Sequence, residues 1–134
     1  MISKEEKMLI INFLRTNVNA SLIYLFGSFA QGIENANSDI DLAFMSSSIY
    51  SEKDIFFLSQ ELATNLNRDI DLIDFNKASE VLAFQILKTG IVLYDYKPSE
   101  RAQLELTIMK KYSKLNEERA QILQDYLNGD TTHG

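Results

Sequence analysis

Two aspartates in a short strand-like segment are the residues of this sequence best suited to chemistry. Asp39 and Asp41 are separated by one apolar residue, and the segment 39–44 begins by alternating polar and apolar positions. In a strand, residues two apart point to the same face about 7 Å apart, so these carboxylates would project together. Two carboxylates held this close repel each other unless a cation lies between them, and Mg²⁺ commonly binds one or two carboxylates together with substrate phosphates. The pair therefore predicts a site for a divalent cation.

A glycine–serine pair, separated from the first aspartate by ten residues, adds a way to bind phosphate. Gly27 directly follows residues 21–26, a nearly continuous apolar run that predicts a buried strand. A glycine lets the backbone approach a phosphate closely, and the next residues can offer main-chain N–H groups at a short helix N-terminus. Ser28 adds a hydroxyl, although a serine here can also simply cap the turn. A phosphate-binding turn beside a metal-binding strand is an arrangement for nucleotidyl transfer, in which metal ions orient the triphosphate and stabilise the leaving group.

A third carboxylate for such a site is predicted on a later strand. The segment 69–75 alternates almost strictly, which places Asp69 and Asp71 on one face and Asp74 on the other. We favour Asp71 because it lies in the middle of the strand, and we expect it to complete the metal site and to help activate an acceptor hydroxyl. Asp69 is the main alternative and could otherwise be a charge at the rim.

The elements that must position these residues alternate between helix and strand, which predicts an α/β fold. Ser3 and Glu6 fit a capping box before a first helix that closes near Asn19. The other predicted elements are strands at 21–26, 39–44, 69–75 and 91–96, helical segments at 29–32, 51–67 and 81–88, and a long helix at 99–127. We expect Gly90 to end the third of these helical segments as a left-handed residue. The last helix would be roughly 40 Å long, longer than a small domain is wide, so part of it should project.

Composition and charge narrow the class of protein. The chain has 134 residues and a mass of 15.3 kDa, which predicts one compact domain with a real hydrophobic core. Cysteine is absent, which excludes a disulfide framework and a thiol nucleophile. The net charge of −6 argues against a protein that grips a nucleic-acid backbone, since such domains carry a basic footprint. No apolar run approaches the length of about 20 residues that spans a bilayer, and we expect a cytoplasmic protein without direct nucleic-acid or membrane contact. The only histidine, His133, lies in a polar tail and is expected to be solvated.

Four sequence segments together resemble a known family. They are GSFAQG at 27–32, NSDIDLAF at 37–44, IDLID at 70–74 and ILKTGIVLYDY at 86–96. Their order is similar to that in the minimal nucleotidyltransferase (MNT) family, a branch of the DNA polymerase β-like nucleotidyltransferase superfamily, over about residues 20–97. The resemblance implies an α/β (α+β) fold with a small mixed sheet flanked by helices, ATP as substrate, and Mg²⁺ at a two-metal site.

By matching position, the resemblance also implies a role for each site residue. Gly27 and Ser28 would bind the triphosphate. Asp39 and Asp41 would bind the metal ions, and Asp71 would be the third carboxylate.

The long last helix resembles the C-terminal part of MntA-type antitoxins, which are encoded beside HEPN-domain toxins. This implies a nucleotidyltransferase domain at 1–97 and a helical extension with a disordered tail at 98–134. The implied reaction is transfer of AMP from ATP to a tyrosine hydroxyl of the cognate HEPN ribonuclease toxin, with release of pyrophosphate and inactivation of the toxin. We expect the projecting helix to contact that toxin or a second copy of the chain, and Tyr112 and Tyr126 to be packing or interface residues.

Two features leave alternatives open. Many relatives carry arginine at the position of Gln31, which offers a phosphate only neutral hydrogen bonds. Lys88 is the best-placed cation by the family pattern, although we favour its assignment to a solvated helix face. The chain also has no acceptor-binding domain. The alternatives to toxin modification are therefore AMP transfer to a small molecule such as an aminoglycoside, and a non-catalytic antitoxin that acts by binding alone.

Overall fold

The structure of the protein, a computed structural model, describes residues 1–129, and the predicted tail with His133 lies outside those residues. In chain order the described elements are α1 (Lys4–Val18), β1 (Leu22–Phe26), α2 (Gly27–Gln31), β2 (Ile40–Met45), α3 (Glu52–Leu66), β3 (Ile70–Asp74), a 3₁₀ turn (Phe75–Lys77), α4 (Glu80–Thr89), β4 (Ile91–Asp95) and α5 (Pro98–Leu127). Each predicted helix and strand is present, with bounds that differ from the expected ones by at most two residues. None of the described helices is long and apolar enough to cross a membrane.

Local sequence signals determine where the first and third helices begin and end. At the start of α1, the Ser3 hydroxyl accepts a hydrogen bond from the Glu6 N–H, and the Glu6 carboxylate accepts one from the Ser3 N–H. Ser51 and Asp54 form the same reciprocal capping box before α3. Both helices end at an asparagine with positive φ, a residue type that adopts the left-handed conformation more readily than most.

The four strands form one mixed sheet in the order β3-β2-β1-β4. β1 pairs antiparallel with both β2 and β4, whereas β2 and β3 run parallel. A parallel pair needs a crossover connection, and α3 supplies it. The small mixed sheet that the family resemblance implies is therefore confirmed.

Helices cover both faces of the sheet and bury two apolar clusters. On one face, Ile23 and Leu42 pack with α1 and α3. On the other face, Tyr24 and Ala43 pack with α4 and α5. Successive residues of a strand point to opposite faces. Asp41, two residues before Ala43, therefore points to the face that α4 and α5 partly cover.

Gly90 ends α4 for a reason different from the predicted one. Its φ of −84° and ψ of 162° are extended, so the prediction of a left-handed residue at this helix end is wrong. A Cβ at this position would overlap the carbonyl oxygen of Ile86 and would lie 3.1 Å from the Tyr24 ring and 3.2 Å from the Leu25 carbonyl oxygen. The chain needs glycine here for space, because it turns from α4 directly into β4 against the sheet.

The first part of α5 is fastened to the sheet by polar contacts. Tyr24 is buried in β1, and its hydroxyl donates a hydrogen bond of 2.9 Å to Glu105 Oε1. Burial, and then this hydrogen bond, raises the pKa of Tyr24. Arg101 Nε lies 3.2 Å from Asp95 Oδ2 at the end of β4. One turn further, Ile108 is the buried apolar residue of α5.

Beyond that point α5 leaves the sheet, as its predicted length indicates. Tyr112 stacks on Phe84 of α4 with ring centroids 3.9 Å apart, which confirms a packing role for this tyrosine. None of residues 113–129 is buried. A helix of 30 residues is about 45 Å long, so its second half extends away from the sheet.

Candidate active site

The turn after β1 and the start of β2 meet at one end of the sheet. Gly27 has a φ of +70°, a left-handed conformation that glycine adopts without strain. A Cβ built on this residue would overlap the carboxylate of Asp41. The close approach follows from the β1–β2 register, in which Phe26 pairs with Asp41 and Gly27 is the next residue. Glycine is therefore required at position 27 both for its backbone conformation and for the space that the carboxylate occupies.

The short helix α2 places free backbone N–H groups beside this carboxylate. The first N–H groups of any helix have no hydrogen-bond partner within it. Ser28 is half-buried in the first turn of α2, and the N-cap residue of this helix is Phe26, which provides no side-chain cap. Ser28 is therefore not the N-cap of α2, and the role of its hydroxyl toward phosphate stays a prediction.

Asp41 and Asp71 lie side by side on the parallel strands β2 and β3. They are register partners, so their side chains leave the same face from strands about 4.8 Å apart. Burial, and then the charges of Asp71 and Asp39, raises the pKa of Asp41 to about 6. A carboxyl with this shift is typical of acidic groups gathered without a neutralising cation.

The other predicted carboxylates differ in their placement. Asp39 immediately precedes β2 and is exposed, and its charge acts on Asp41. Asp69 is also exposed, but it lines a polar cavity beside α3 and does not contribute to the pKa of Asp41. Asp74 is buried at the far end of β3, where its side chain caps the 3₁₀ turn. The geometry favours Asp71 over Asp69 as the third carboxylate, and that assignment stays a prediction.

The donor set suits a hard divalent cation. Within residues 1–129, no three acidic or histidine side chains already converge on a point that could hold a metal ion. Carboxylates repel each other when no cation lies between them, which explains why these side chains do not converge. The overlap that a Cβ at Gly27 would cause shows that this backbone and the Asp41 carboxylate share one small space. Asp39, Asp41 and Asp71 supply only oxygen ligands, which Mg²⁺ prefers, and the Mg²⁺ site itself stays a prediction.

Arg68 is a residue near the site that the sequence does not single out. Its guanidinium lies 5.3 Å from the centre of the Phe29 ring in α2, and its Nε lies 3.0 Å from Glu6 Oε2 in α1. It directly precedes Asp69 in the connection to β3. Arg68 therefore connects α2, which follows the Gly27 turn, to the segment that leads into β3. The spacing of the sequence contains no signal for these contacts, because they join elements far apart in the chain.

Gln31 and Lys88, the two polar residues considered from the family resemblance, are both exposed. Gln31 is the last residue of α2, and Lys88 is in the last turn of α4. The end of α4 approaches Leu25, close to the end of β1 that continues into Gly27. Lys88 forms no ion pair within residues 1–129. It is a free cation on the helix that ends near the site.

The arrangement brings together the Gly27 turn and neighbouring carboxylates, of which Asp41 has a raised pKa. The turn can bind the phosphates of a nucleotide through backbone N–H groups. The carboxylates can hold a cation that neutralises the same phosphates. The fold and the site together define a nucleotidyl-transfer class of protein.

Comparison with known proteins agrees with this class. Residues 9–99 match the family described as Polymerase beta, Nucleotidyltransferase. The chain is 37% identical over 119 residues to the protein adenylyltransferase MntA of Shewanella oneidensis, an alignment that covers 88% of this chain and 85% of that protein. The chain belongs to the polymerase β nucleotidyltransferase family, and the resemblance inferred from its motifs is confirmed.

Solved structures share the fold over most of the chain. A crystal structure of a toxin–antitoxin with AMP-PNP superposes with a TM-score of 0.83 and 34% identity, over 90% of this chain and 98% of that chain. A tri-AMPylated Shewanella oneidensis HEPN toxin in complex with MNT antitoxin superposes with a TM-score of 0.78 and 30% identity, over 92% of this chain and 98% of that chain. These similarities confirm the predicted polymerase β-like fold.

Proposed function

We propose that the protein transfers AMP from ATP to a tyrosine hydroxyl of a HEPN-domain ribonuclease toxin and thereby acts as its antitoxin. The observation that carries this proposal is the pairing of Asp41 with Asp71 beside the Gly27 turn, in a chain similar to the adenylyltransferase MntA over most of its length. The similar complexes with AMP-PNP and with an AMPylated toxin support ATP as the nucleotide and the toxin as the acceptor.

Each site residue has a role in this reaction. The Gly27 turn binds the triphosphate through backbone N–H groups, and the Ser28 hydroxyl adds a donor. Asp39, Asp41 and Asp71 would hold Mg²⁺, which when bound neutralises charge on the phosphates and on the departing pyrophosphate. The acceptor oxygen forms a bond to the α-phosphorus, and the bond from that phosphorus to the bridging oxygen breaks. Asp71 is exposed, so it can accept a hydrogen bond from the acceptor hydroxyl and help to remove its proton.

The acceptor surface comes from the partner in this proposal. In this proposal a nucleotidyltransferase domain at 1–97 is followed by an extension at 98–134, whose described part is the helix α5. Large apolar side chains on the second half of α5 are exposed, with Ile122 at 69% and Tyr126 at 72%. Exposed apolar surface of this kind is typical of an interaction site. We assign it to the toxin in a hetero-oligomer within the cytoplasm, with a homodimer through the same face as the alternative.

Incubation of the protein with labelled ATP, Mg²⁺ and the HEPN protein encoded beside it tests the proposal. We expect label on a tyrosine of the toxin with the native protein, and none with the double variant Asp39→Asn, Asp41→Asn. The matched control is Glu61→Gln, which removes one exposed charge from α3 and should retain transfer. Absence of transfer by a native protein that binds ATP would contradict the proposal.

The same variants separate the two alternative functions. A non-catalytic antitoxin would protect cells from the toxin even as the double variant, because binding alone would suffice. A small-molecule nucleotidyltransferase would label hydroxylated acceptors such as aminoglycosides when no toxin is present. In the proposed function, protection is lost with the double variant and labelling requires the toxin.

A further inference from the structure

A second cavity lies at the end of the sheet opposite the aspartates. It has a volume of about 750 Å³ and is enclosed by the end of α1, the loop after β2, the end of β4 and the start of α5. Met45, the last residue of β2, lines this cavity, whereas Asp41 lies near the start of the same strand. The strand rise separates these two residues by roughly 13 Å. The cavity shares no residue with the candidate active site.

The lining of this cavity has more basic than acidic residues, although the chain as a whole carries a charge of −6. Arg15 and Lys97 line it, and Glu100 is the one acidic residue among its lining. Lys97 Nζ lies 3.4 Å from Glu100 Oε1, and both side chains are largely exposed. No carboxylate lies within ion-pair distance of Arg15 among residues 1–129. Its guanidinium instead lies 5.0 Å from the centre of the Tyr94 ring, which holds it without neutralising it.

Two tyrosines add aromatic surface beside these cations. Tyr94 lies in β4 and Tyr96 directly follows that strand, and both side chains line the cavity. The Tyr94 ring is covered by Arg15, whereas Tyr96 is 71% exposed and leaves its ring free to stack. Asn12 and Ser47 contribute neutral hydrogen-bonding groups. The cavity has the size of a small-molecule site. Its cations suit a phosphate, and its exposed ring suits an aromatic base that stacks on it. The polar groups can add hydrogen bonds to such a ligand.

We propose that this cavity binds a mononucleotide, with the phosphate on Arg15 and Lys97 and the base stacked on Tyr96. The cavity contains no acidic cluster, so binding there needs no divalent cation. The candidate active site differs in this respect, because its carboxylates repel a phosphate unless a cation lies between them. Lys97 is also the N-cap residue of α5, so the nucleotide would contact the start of the projecting helix.

Titration with AMP in the presence of EDTA tests this proposal on the full-length protein. The native carboxylates are kept in this experiment, because without a cation they repel phosphate and so prevent AMP from binding at the candidate active site. We expect saturable binding that Arg15→Gln and Lys97→Gln each weaken about tenfold, the loss typical of one charge-assisted contact. Lys7→Gln, an exposed lysine on α1 outside the cavity, is the matched control and should change nothing.

The base contact is tested separately by comparing AMP with inorganic phosphate. We expect Tyr96→Ala to weaken AMP binding and to leave phosphate binding unchanged, because only AMP carries a ring that can stack. Equal effects on the two ligands would overturn the assignment of a nucleotide.

Three further results would overturn the proposal. The first is that AMP shows no saturable binding at millimolar concentration. The second is that Arg15→Gln and Lys97→Gln leave AMP binding intact, and the third is that these variants lose affinity for the toxin but not for AMP. The last result would identify the cavity as a protein contact. Melting temperatures close to that of the native protein show that the variants are folded. None of these measurements depends on AMP transfer, so this proposal and the proposed function can fail independently.

Discussion

The close approach of Gly27 and Asp41 determines the geometry of the site at the scale of single residues. The glycine lets the phosphate-binding turn lie directly against the carboxylate. The sequence predicts both residues from their types and spacing. It does not predict that they touch, because that contact depends on the pairing of β1 with β2. Substitutions at this contact therefore test the geometry rather than the motif.

Gly27→Ala is expected to destabilise the protein and to abolish AMP transfer. The left-handed backbone costs alanine about 1 kcal/mol, and displacement of the Asp41 carboxylate adds to that cost. Gly32→Ala is the matched control, since Gly32 has a φ of +73° but nothing within 4 Å of a Cβ. Urea unfolding of the two variants measures the difference. Equal losses of unfolding free energy would show that the overlap with Asp41 is unimportant.

Asp71→Asn in β3 and Asp69→Asn just before that strand form a matched pair. Asp71 is the register partner of Asp41, so its loss should lower the rate of AMP transfer about a hundredfold or more. Asp69 does not act on Asp41, and its variant should stay within about threefold of the native rate, as expected of an exposed charge. Single-turnover rates at saturating ATP give the comparison. The reverse order would make Asp69 the third carboxylate.

Asp41→Asn is expected to raise the melting temperature of the metal-free protein at pH 8. Folding raises the pKa of Asp41 to about 6, so the folded state favours the protonated form. The ionised carboxylate therefore costs stability, and this cost is absent near pH 4, grows as the pH rises and is complete above pH 6. We expect a gain of roughly 3–5 °C at pH 8, equivalent to about 1 kcal/mol, and almost none at pH 4.

Thermal unfolding followed by circular dichroism measures this gain at both pH values. Glu61→Gln, which removes an exposed charge, should show no comparable difference. If the melting temperature rises equally at pH 4 and pH 8, the effect does not come from the ionisation of Asp41.

At the scale of elements, local patterns are predictable from the sequence and contacts between distant segments are not. The Ser3 capping box and the alternation of residues 70–74 are local signals, and the structure has both elements. The register that sets Asp41 opposite Asp71 depends on the docking of α3, which no local pattern encodes. Gly90 illustrates the same limit, since its role comes from the strand that packs against it.

The anchoring of α2 by Arg68 leads to a prediction at this scale. Arg68→Ala removes the contact with Phe29 and the ion pair with Glu6, and should lower the unfolding free energy by about 1 kcal/mol. It should also raise the KM for ATP, because α2 carries the phosphate-binding N–H groups. Lys53→Ala is the control, since Lys53 lies over the exposed Phe57 ring away from the site. An unchanged KM for ATP would mean that Arg68 does not position α2.

The whole molecule combines a small nucleotide-binding domain with a helix much longer than that domain requires. Part of its net charge of −6 belongs to the candidate site, where a cation would neutralise Asp39, Asp41 and Asp71. The sequence predicts the length of α5 from the apolar spacing of residues 99–127. It does not predict which half is docked, because that depends on contacts such as Tyr24 with Glu105. The exposed half is the surface that the proposed function gives to the partner.

The double variant Ile122→Ser, Leu123→Ser is expected to weaken binding to the toxin without loss of stability. Both side chains are more than half exposed, so their removal costs the free protein little. Leu106→Ser is the control, because Leu106 is 52% exposed but lies on the docked half of α5. Affinity measured by titration calorimetry should fall for the double variant and stay unchanged for the control. The opposite pattern would place the toxin beside the docked half instead.

The most direct test of the central claim is the intact mass of the HEPN partner after co-expression with each form of this protein. With the native protein, we expect the partner to gain the mass of one or more AMP units on tyrosine. With Asp39→Asn, Asp41→Asn, the partner should be recovered without that mass. An unmodified partner beside the native protein, while toxicity is still suppressed, would contradict AMP transfer as the basis of neutralisation.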